Sequence, residues 1–344
     1  MNNWVHPKSM DSVFRENDIR PTALDAGKIA ALEADLKFLA SQKSLFIEVC
    51  CPACDESNHQ PIFEKYTFQF VQCNNCDTVF MTPRATPEIL EAFYRHSKLY
   101  EYWNKYIFPS SMEARREKIF KPRVARLIDI CKKYNIPSDC IVEVGAGYGI
   151  FCDALTRRHY FKRVVAVEPN ADLANTCRSS GIEVVEDTIE NIEPGKYAAD
   201  VLAAFEVIEH LFSPQTFIKN CLKLLKTNSI MILTCPNYKG FDIEALAHNS
   251  DSIDAEHINM FNPESLELLL NRCGFKVLEC TTPGELDVEI LRNKVLNNEY
   301  SLAGQPFLRS VLMDRWEELG RRFQEFLKEN KLSSHMWVVA TPAK

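Results

Sequence analysis

The chain has 344 residues, 46% of them hydrophobic and 25% charged, enough apolar material for one large domain with a smaller one attached. Its net charge of -7 provides no excess of Lys and Arg, which argues against nucleic acid or an anionic membrane as partner. No apolar run nears the length of a membrane span, and the opening "MNNWVHPKSMDSVFREND" lacks the apolar centre of a secretory signal, so a cytoplasmic protein is expected.

Apolar residues recur at helical intervals over residues 22–43, which predicts an N-terminal helical segment within 1–48 that carries no chemistry. Residues 49–100 read as a small separate module. Cys51 and Cys54 form one Cys-x-x-Cys pair, Cys73 and Cys76 another, with 18 residues between them. Each pair folds into a knuckle presenting two thiolates, and two knuckles complete a tetrahedron around a structural Zn²⁺ with no position left for substrate. Cys50 creates a register ambiguity, which "CPAC" resolves toward Cys51 by placing the turn-forming Pro inside the pair. Catalytic zinc, two disulfides and a redox pair are the other readings; the four-ligand set argues against the first, a reducing compartment against the second and the duplicate pair against the third. Most of the remaining cysteines stand singly in apolar runs, as small core residues do. "TPRATPEILEAFY" then reads as a helix with Pro near its start. A longer helix over about 111–134 leads into the domain assigned to 101–344.

After residue 138 short β-branched runs alternate with helices: "CIVEVGA", "RVVAVEP", "IEVVE", "DVLAAFE", "SIMILTCP" and "FKVLECTT". The pattern predicts an α/β fold, a parallel sheet covered by helices on both faces, with "HMWVVATP" (335–342) as one more strand. A helical insertion at about 284–334 precedes that strand. Its helix "FLRSVLMDRWEELGRRFQEFLKEN" carries Leu308, Leu312, Trp316, Leu319, Phe323, Phe326 and Leu327 on one stripe. The stripe is expected to pack on its own sheet, with a lid or a homodimer contact as the other readings.

In "EVGAGYGIF" (143–151), Gly145, Gly147 and Gly149 lie between a strand and a helix, where backbone passes close to a ligand with no Cβ in the way. A dinucleotide fingerprint needs its third glycine at position 150, which is Ile150, and no Gly-Lys-Ser/Thr follows for a P-loop. Glu168, nineteen residues beyond Gly149, can accept both hydroxyls of a ribose. Glu143 would repel a pyrophosphate and suits a ligand carrying ammonium and sulfonium groups. Each of these acids could also be a plain loop charge.

Taken in order, "VEVGAGYGIF", "VVAVEP", "VVEDTIE" and "AAFEVIEHL" resemble the successive motifs of class I S-adenosylmethionine-dependent methyltransferases, over about 118–280 plus the last strand. The resemblance implies a Rossmann-like seven-stranded sheet with an antiparallel last strand and S-adenosylmethionine as cofactor. It implies that Glu143, Gly145, Ala146, Gly147 and Gly149 face the methionine part and that Glu168 holds the ribose. It places Asp187 and Thr188 beside the adenine, and Phe205 and Glu206 along the methionine side. The cysteine module followed by "VFMTPRATPEILEAFY" resembles the zinc segment of bacterial methyltransferases of sugar, polysaccharide and secondary-metabolite pathways, sugar C-methyltransferases among them. Here the cysteine pairs stand closer together and the large C-terminal domain of those enzymes is missing. A small-molecule acceptor, a sugar or nucleotide-linked sugar, is what this implies.

For the base, His257 in "DAEHINMFNPESL" follows the fifth strand, at the sheet edge where open α/β folds keep their ligands. Glu256 beside it could fix its tautomer or bind a sugar hydroxyl, and the segment resembles one in the sugar C-methyltransferases in which the His is proposed to act as base. The plain alternative is that His257 caps or packs against the helix starting near Pro263. His210 in "EVIEH" is a second candidate with a structural alternative. Two other classes stay open: a catalytically silent zinc-containing scaffold protein, and a nicotinamide-dependent oxidoreductase, which Ile150 and Glu143 oppose.

Overall fold

The computed structural model describes residues 14–343; residues 1–13, which carry most of the segment read above for a signal, and Lys344 lie outside them. The strands are β1 (His59–Lys65), β2 (Phe68–Cys73), β3 (Val79–Met81), β4 (Cys140–Val144), β5 (Arg163–Val167), β6 (Glu183–Val185), β7 (Ala199–Phe205), β8 (Leu225–Pro236), β9 (Asn259–Met260), β10 (Phe275–Thr281) and β11 (His335–Pro342). Seven of them form one sheet in the order β10-β11-β8-β7-β4-β5-β6. β4 pairs in parallel with β5 and β7, and only β11 runs against its neighbours β8 and β10. This is the seven-stranded arrangement the motifs imply.

The central strands are apolar throughout because both faces are covered: every residue of "CIVEV" and "ADVLAAF" is buried. One face packs on the helix Lys121–Lys133 through Val124, Leu127 and Cys131. The other takes Phe217, Ile218 and Cys221 of the helix Pro214–Leu224. The chain enters this domain through helical turns running from Lys98, not from about 111 as expected, with two short π-type stretches at Trp103–Ile107 and Arg116–Phe120.

Two expectations need correction. The cysteine module is not separate: its sheet has the order β1-β2-β3-β9, and β9 belongs to the loop that follows the fifth strand of the large sheet. A segment so short has little core of its own, and it borrows one, with Cys51, Cys54, Cys73 and Phe80 packing in one cluster with Phe261 and Leu266. The insertion also differs. Its helix is broken at Arg315, where the backbone leaves helical geometry, into turns over 306–314 and a helix Trp316–Glu329. The apolar stripe packs not on the sheet but against the helices Phe241–Leu246 and Asp287–Leu296, in a cluster of its own. Buried Asp287 anchors it to the start of β11 by accepting from Gln324 Nε2 at 2.6 Å and Ser333 Oγ at 2.8 Å. Phe326 is half exposed at the stripe's outer edge.

Candidate functional site

The carboxyl ends of β4, β5, β7 and β8 meet along one edge of the sheet, the edge where such folds bind ligands. All three glycines of the loop after β4 have left-handed backbone, with φ of 74°, 55° and 68°. Their surroundings differ. A Cβ on Gly145 would stand 2.6 Å from Val207 Cγ2, and one on Gly149 would stand 2.8 Å from Cys177 Sγ. A Cβ on Gly147 would meet nothing within 4 Å, so here the backbone faces open space that a ligand can approach closely. Gly149 then serves as N-cap of the helix Ile150–Thr156.

Glu168 closes β5 and is fixed by backbone donors. Its Oε2 accepts from Gly147 N at 2.8 Å and its Oε1 from Asn170 N at 2.9 Å. Each oxygen keeps a further lone pair, as a diol requires. Burial raises its pKa, against these two hydrogen bonds, which lower it. Asp187 accepts from Thr188 N and Asn191 Nδ2, both at 2.7 Å, on the rim beyond β6. Ala146 is buried within the loop and Phe205 is buried at the end of β7, edge-on to Phe151 and capped by Arg123 at 4.4 Å.

Glu143, expected to face the cofactor, lies at the end of β4 beneath the glycine loop. It is 4% exposed and accepts from Cys152 Sγ at 2.9 Å, on the inner side of the loop. Burial pushes its pKa up to about 8, so at neutral pH it is largely protonated. A neutral acid can lie beneath a backbone loop with its charge suppressed, which a loop aspartate in water could not.

Glu206 follows β7 in left-handed backbone, φ 56°. It accepts from Thr234 Oγ1 at 2.5 Å and pairs with His335 Nε2 at 2.9 Å, with Arg123 4.0 Å away. Burial alone would raise its pKa, but His335 and Arg123 hold it well below the usual carboxylate range. Its side chain is nevertheless 41% exposed. Arg123, Thr234 and His335 were not legible as site residues, since they come from a helix and two strands remote in sequence.

Beyond Glu206 a one-turn helix, Ile208–His210, carries Glu209 and His210 toward His257. The two imidazole rings lie 4.6 Å apart. His257 Nδ1 sits 2.8 Å from the carbonyl oxygen of Ser252, which requires the proton on Nδ1 and leaves Nε2 with a free lone pair. Asp254 Oδ1 fixes the same turn by accepting from the backbone N of Glu256 and of His257. The helix at Pro263 is capped by Asn262, so His257 is not its cap. Both carboxylate oxygens of Glu209, Nδ1 of His210 and Oε1 of Glu256 are buried without a hydrogen-bond partner. Burial, then the charge of Glu206, pushes the Glu209 carboxyl well up; burial, then Asp254, does the same to Glu256. Burial and the neighbouring His257 bring His210 down to about 3. Glu209 is the residue that sequence reasoning passed over, although it stands beside His210.

The cysteine module reaches this cluster. Arg84, after β3, donates to Asn259 Oδ1 at 2.7 Å and to the Phe212 carbonyl at 2.6 Å. Asn259 Nδ2 in turn donates to the Leu211 carbonyl at 2.7 Å, closing the turn that holds Glu209 and His210. In the module itself the sulfurs of Cys51 and Cys76 are 3.5 Å apart, Cys54 and Cys73 3.4 Å, and Cys54 and Cys76 3.6 Å. Zn–S bonds of about 2.3 Å set tetrahedral sulfurs roughly 3.8 Å apart, so small relaxations suffice. The two knuckles repeat each other: Asp55 N donates to Cys51 O and Asp77 N to Cys73 O, both aspartates in left-handed backbone. The hydrogen bond from Cys51 pulls Cys76 down to about 5, with Thr78 assisting.

Residues 112–280 match the family described as "Methyltransferase domain". The chain is an S-adenosylmethionine-dependent methyltransferase. Among curated relatives, the ubiquinone biosynthesis O-methyltransferase of Bradyrhizobium diazoefficiens is 26% identical over 234 residues, covering 63% of this chain and 82% of its own. A probable S-adenosylmethionine-dependent methyltransferase of Mycobacterium tuberculosis is 25% identical over 137 residues, 39% of this chain and 48% of the relative. A solved S-adenosylmethionine-dependent methyltransferase of Archaeoglobus fulgidus gives a TM-score of 0.47 at 20% identity, covering 69% of this chain and all of that one. No helix among the described residues is long and apolar enough to cross a membrane.

Proposed function

We propose that this methyltransferase acts on a hydroxyl of a small molecule, a sugar or another polyhydroxylated acceptor, bound between the glycine loop and the His210–His257 pair. One observation carries the reading: His257, locked through Nδ1 to Ser252, presents a free Nε2 at the same sheet edge as the open backbone of Gly147. The O-methyltransferase named among the relatives supports oxygen as the atom methylated.

S-adenosylmethionine supplies an already activated methyl group on a sulfonium. Glu168 holds the ribose, and the loop at Gly145, Ala146, Gly147 and Gly149 admits the methionine part at close range. Glu206 gives a carboxylate to the cationic end, with Phe205 behind it, and Asp187 with Thr188 borders the adenine. His257 activates the acceptor hydroxyl, His210 packs beside it, and Glu256 lies against the same turn. Orienting two bound reactants supplies roughly 7–11 kcal/mol of the barrier, more than a positioned base, worth about 10²–10⁴-fold, can add. Cys51, Cys54, Cys73 and Cys76 hold a structural Zn²⁺; their four sulfurs lie within reach of one ion and leave no open position.

Thermal unfolding with S-adenosylhomocysteine, S-adenosylmethionine and NAD in parallel tests the assignment, since a ligand that binds only the native state raises its melting temperature. Stabilisation by the two adenosyl compounds and not by NAD is expected. Mass spectrometry of candidate acceptors for a gain of one methyl group, sugars and nucleotide sugars against phenols, then identifies the acceptor class; methylation of phenols alone would overturn the sugar reading.

A further inference from the structure

We infer that Glu209, His210 and His257 form a binding site for a divalent first-row cation, through which the acceptor hydroxyl is held and acidified. The inference rests on the acceptor site proposed above and changes only how the hydroxyl is activated there.

One ligand atom from each of the three residues lies within 4.8 Å of the others. A cation with bonds of about 2.1 Å needs its ligands roughly 3–4 Å apart, a contraction that side-chain rotation provides. The second observation is the polarity left unanswered. Glu209 is fully buried, yet neither carboxylate oxygen has a hydrogen-bond partner, and Nδ1 of His210 has none either. Unpaired buried carboxylates cost several kcal/mol and are retained where a ligand completes them. His257 supplies the complementary half: its Nδ1 proton is committed to the Ser252 carbonyl, the arrangement that fixes a metal-bound imidazole and presents Nε2. Two imidazoles and one carboxylate leave coordination positions open, and this ligand set suits manganese, iron, cobalt or zinc better than calcium. The four-sulfur site is the opposite case, soft and closed.

The position suits the chemistry. Val207, two residues before Glu209, packs against Gly145 of the cofactor loop, so the cation would sit beside the methyl donor. An acceptor hydroxyl bound to the cation loses its proton to a crevice water. The freed oxygen pair forms the O–CH₃ bond while the CH₃–S bond breaks, its pair returning to sulfur to leave the neutral thioether. A neighbouring hydroxyl of the same acceptor can take a second open position, which favours vicinal diols and catechols over isolated hydroxyls.

Manganese tests this without competing for the sulfur site. The full chain, desalted with no chelator and verified to keep one Zn²⁺ per chain for the sulfur site, is titrated with Mn²⁺ and followed by electron paramagnetic resonance, and binding of S-adenosylhomocysteine is measured on the same sample. One bound Mn²⁺ with echo modulation from two imidazole nitrogens is expected. Glu209→Gln and His257→Gln should each weaken it by at least about tenfold while S-adenosylhomocysteine binds as in the parent. S-adenosylhomocysteine binding with no Mn²⁺ bound up to about 1 mM would overturn the cation and leave the methyltransferase reading standing. Mn²⁺ held equally well by both variants would overturn its placement. Failure to bind S-adenosylhomocysteine would strike the methyltransferase reading itself, and the proposed role of the cation with it. Since the parent chain alone decides the first of these outcomes, poor folding of a variant cannot protect the inference.

Discussion

The two halves of the site proposed above, one for the cofactor and one for the acceptor, are built in different ways. The cofactor half is backbone: three left-handed glycines, a carboxylate held by two main-chain donors, all within one strand-loop-helix-strand unit. The acceptor half is side chain, assembled from the turn after β7, the loop before β9 and, through Arg84, the cysteine module. Local construction tolerates changes elsewhere in the chain, whereas the assembled half depends on every segment that contributes to it. Damage to the module should therefore reach the acceptor side first.

The largest effect is expected at Cys73→Ser. With one proposed zinc ligand removed, the module should lose the ion that would tie its two knuckles together, and chemical denaturation should show a loss of more than about 3 kcal/mol. Methyl transfer should vanish with it. If turnover persists after the metal is stripped, the dependence of the acceptor half on the module is disproved. His257→Ala comes next, lowering kcat by about 10²-fold or more with S-adenosylhomocysteine affinity within about twofold of the parent. Glu168→Ala is its mirror image. Cofactor affinity should fall roughly 10–100-fold by calorimetry, while turnover at saturating cofactor changes little. Should either variant move both quantities together, the division into two halves fails.

One further effect concerns pH. Because Glu143 titrates near 8 in the native chain and near 4.5 in an ordinary setting, the unfolded chain gives up a proton between these values that the folded chain keeps. Stability therefore falls as pH rises through that window, by at most about 1.4 kcal/mol per unit, and is unaffected by this group below it. Glu143→Gln should flatten that slope in denaturation curves taken at about pH 5, 6.5 and 8. Bound S-adenosylmethionine should reverse part of it if its positive charge draws the carboxyl into the ionised form.

The same division explains what could be read from sequence. The α/β sheet and the strand-loop-helix setting of Gly145, Gly147 and Gly149 follow from local spacing, and the reversed last strand from the family resemblance. Arg123, His335, Arg84 and Asn259 gave no signal, because their roles arise from contacts between segments far apart in the chain. Glu209 could have been found: it follows Glu206 by three residues, one turn of helix, and precedes His210. The insertion packs elsewhere than its sequence suggests because an apolar stripe gives the face to be buried but not the surface that covers it. Glu143 shows the same limit, since a carboxylate beside a glycine loop looks alike in sequence whether it is buried and protonated or exposed and charged.

β9 is only two residues long, yet it completes the sheet of the cysteine module from within the methyltransferase domain. Exchanging the module between relatives as a cassette ending before residue 110 would thus leave β3 with a foreign edge partner and Arg84 facing a mismatched Asn259. A working chimera needs a second, small transplant around 258–260. Substitutions in the two pieces should prove tolerable only in matched pairs.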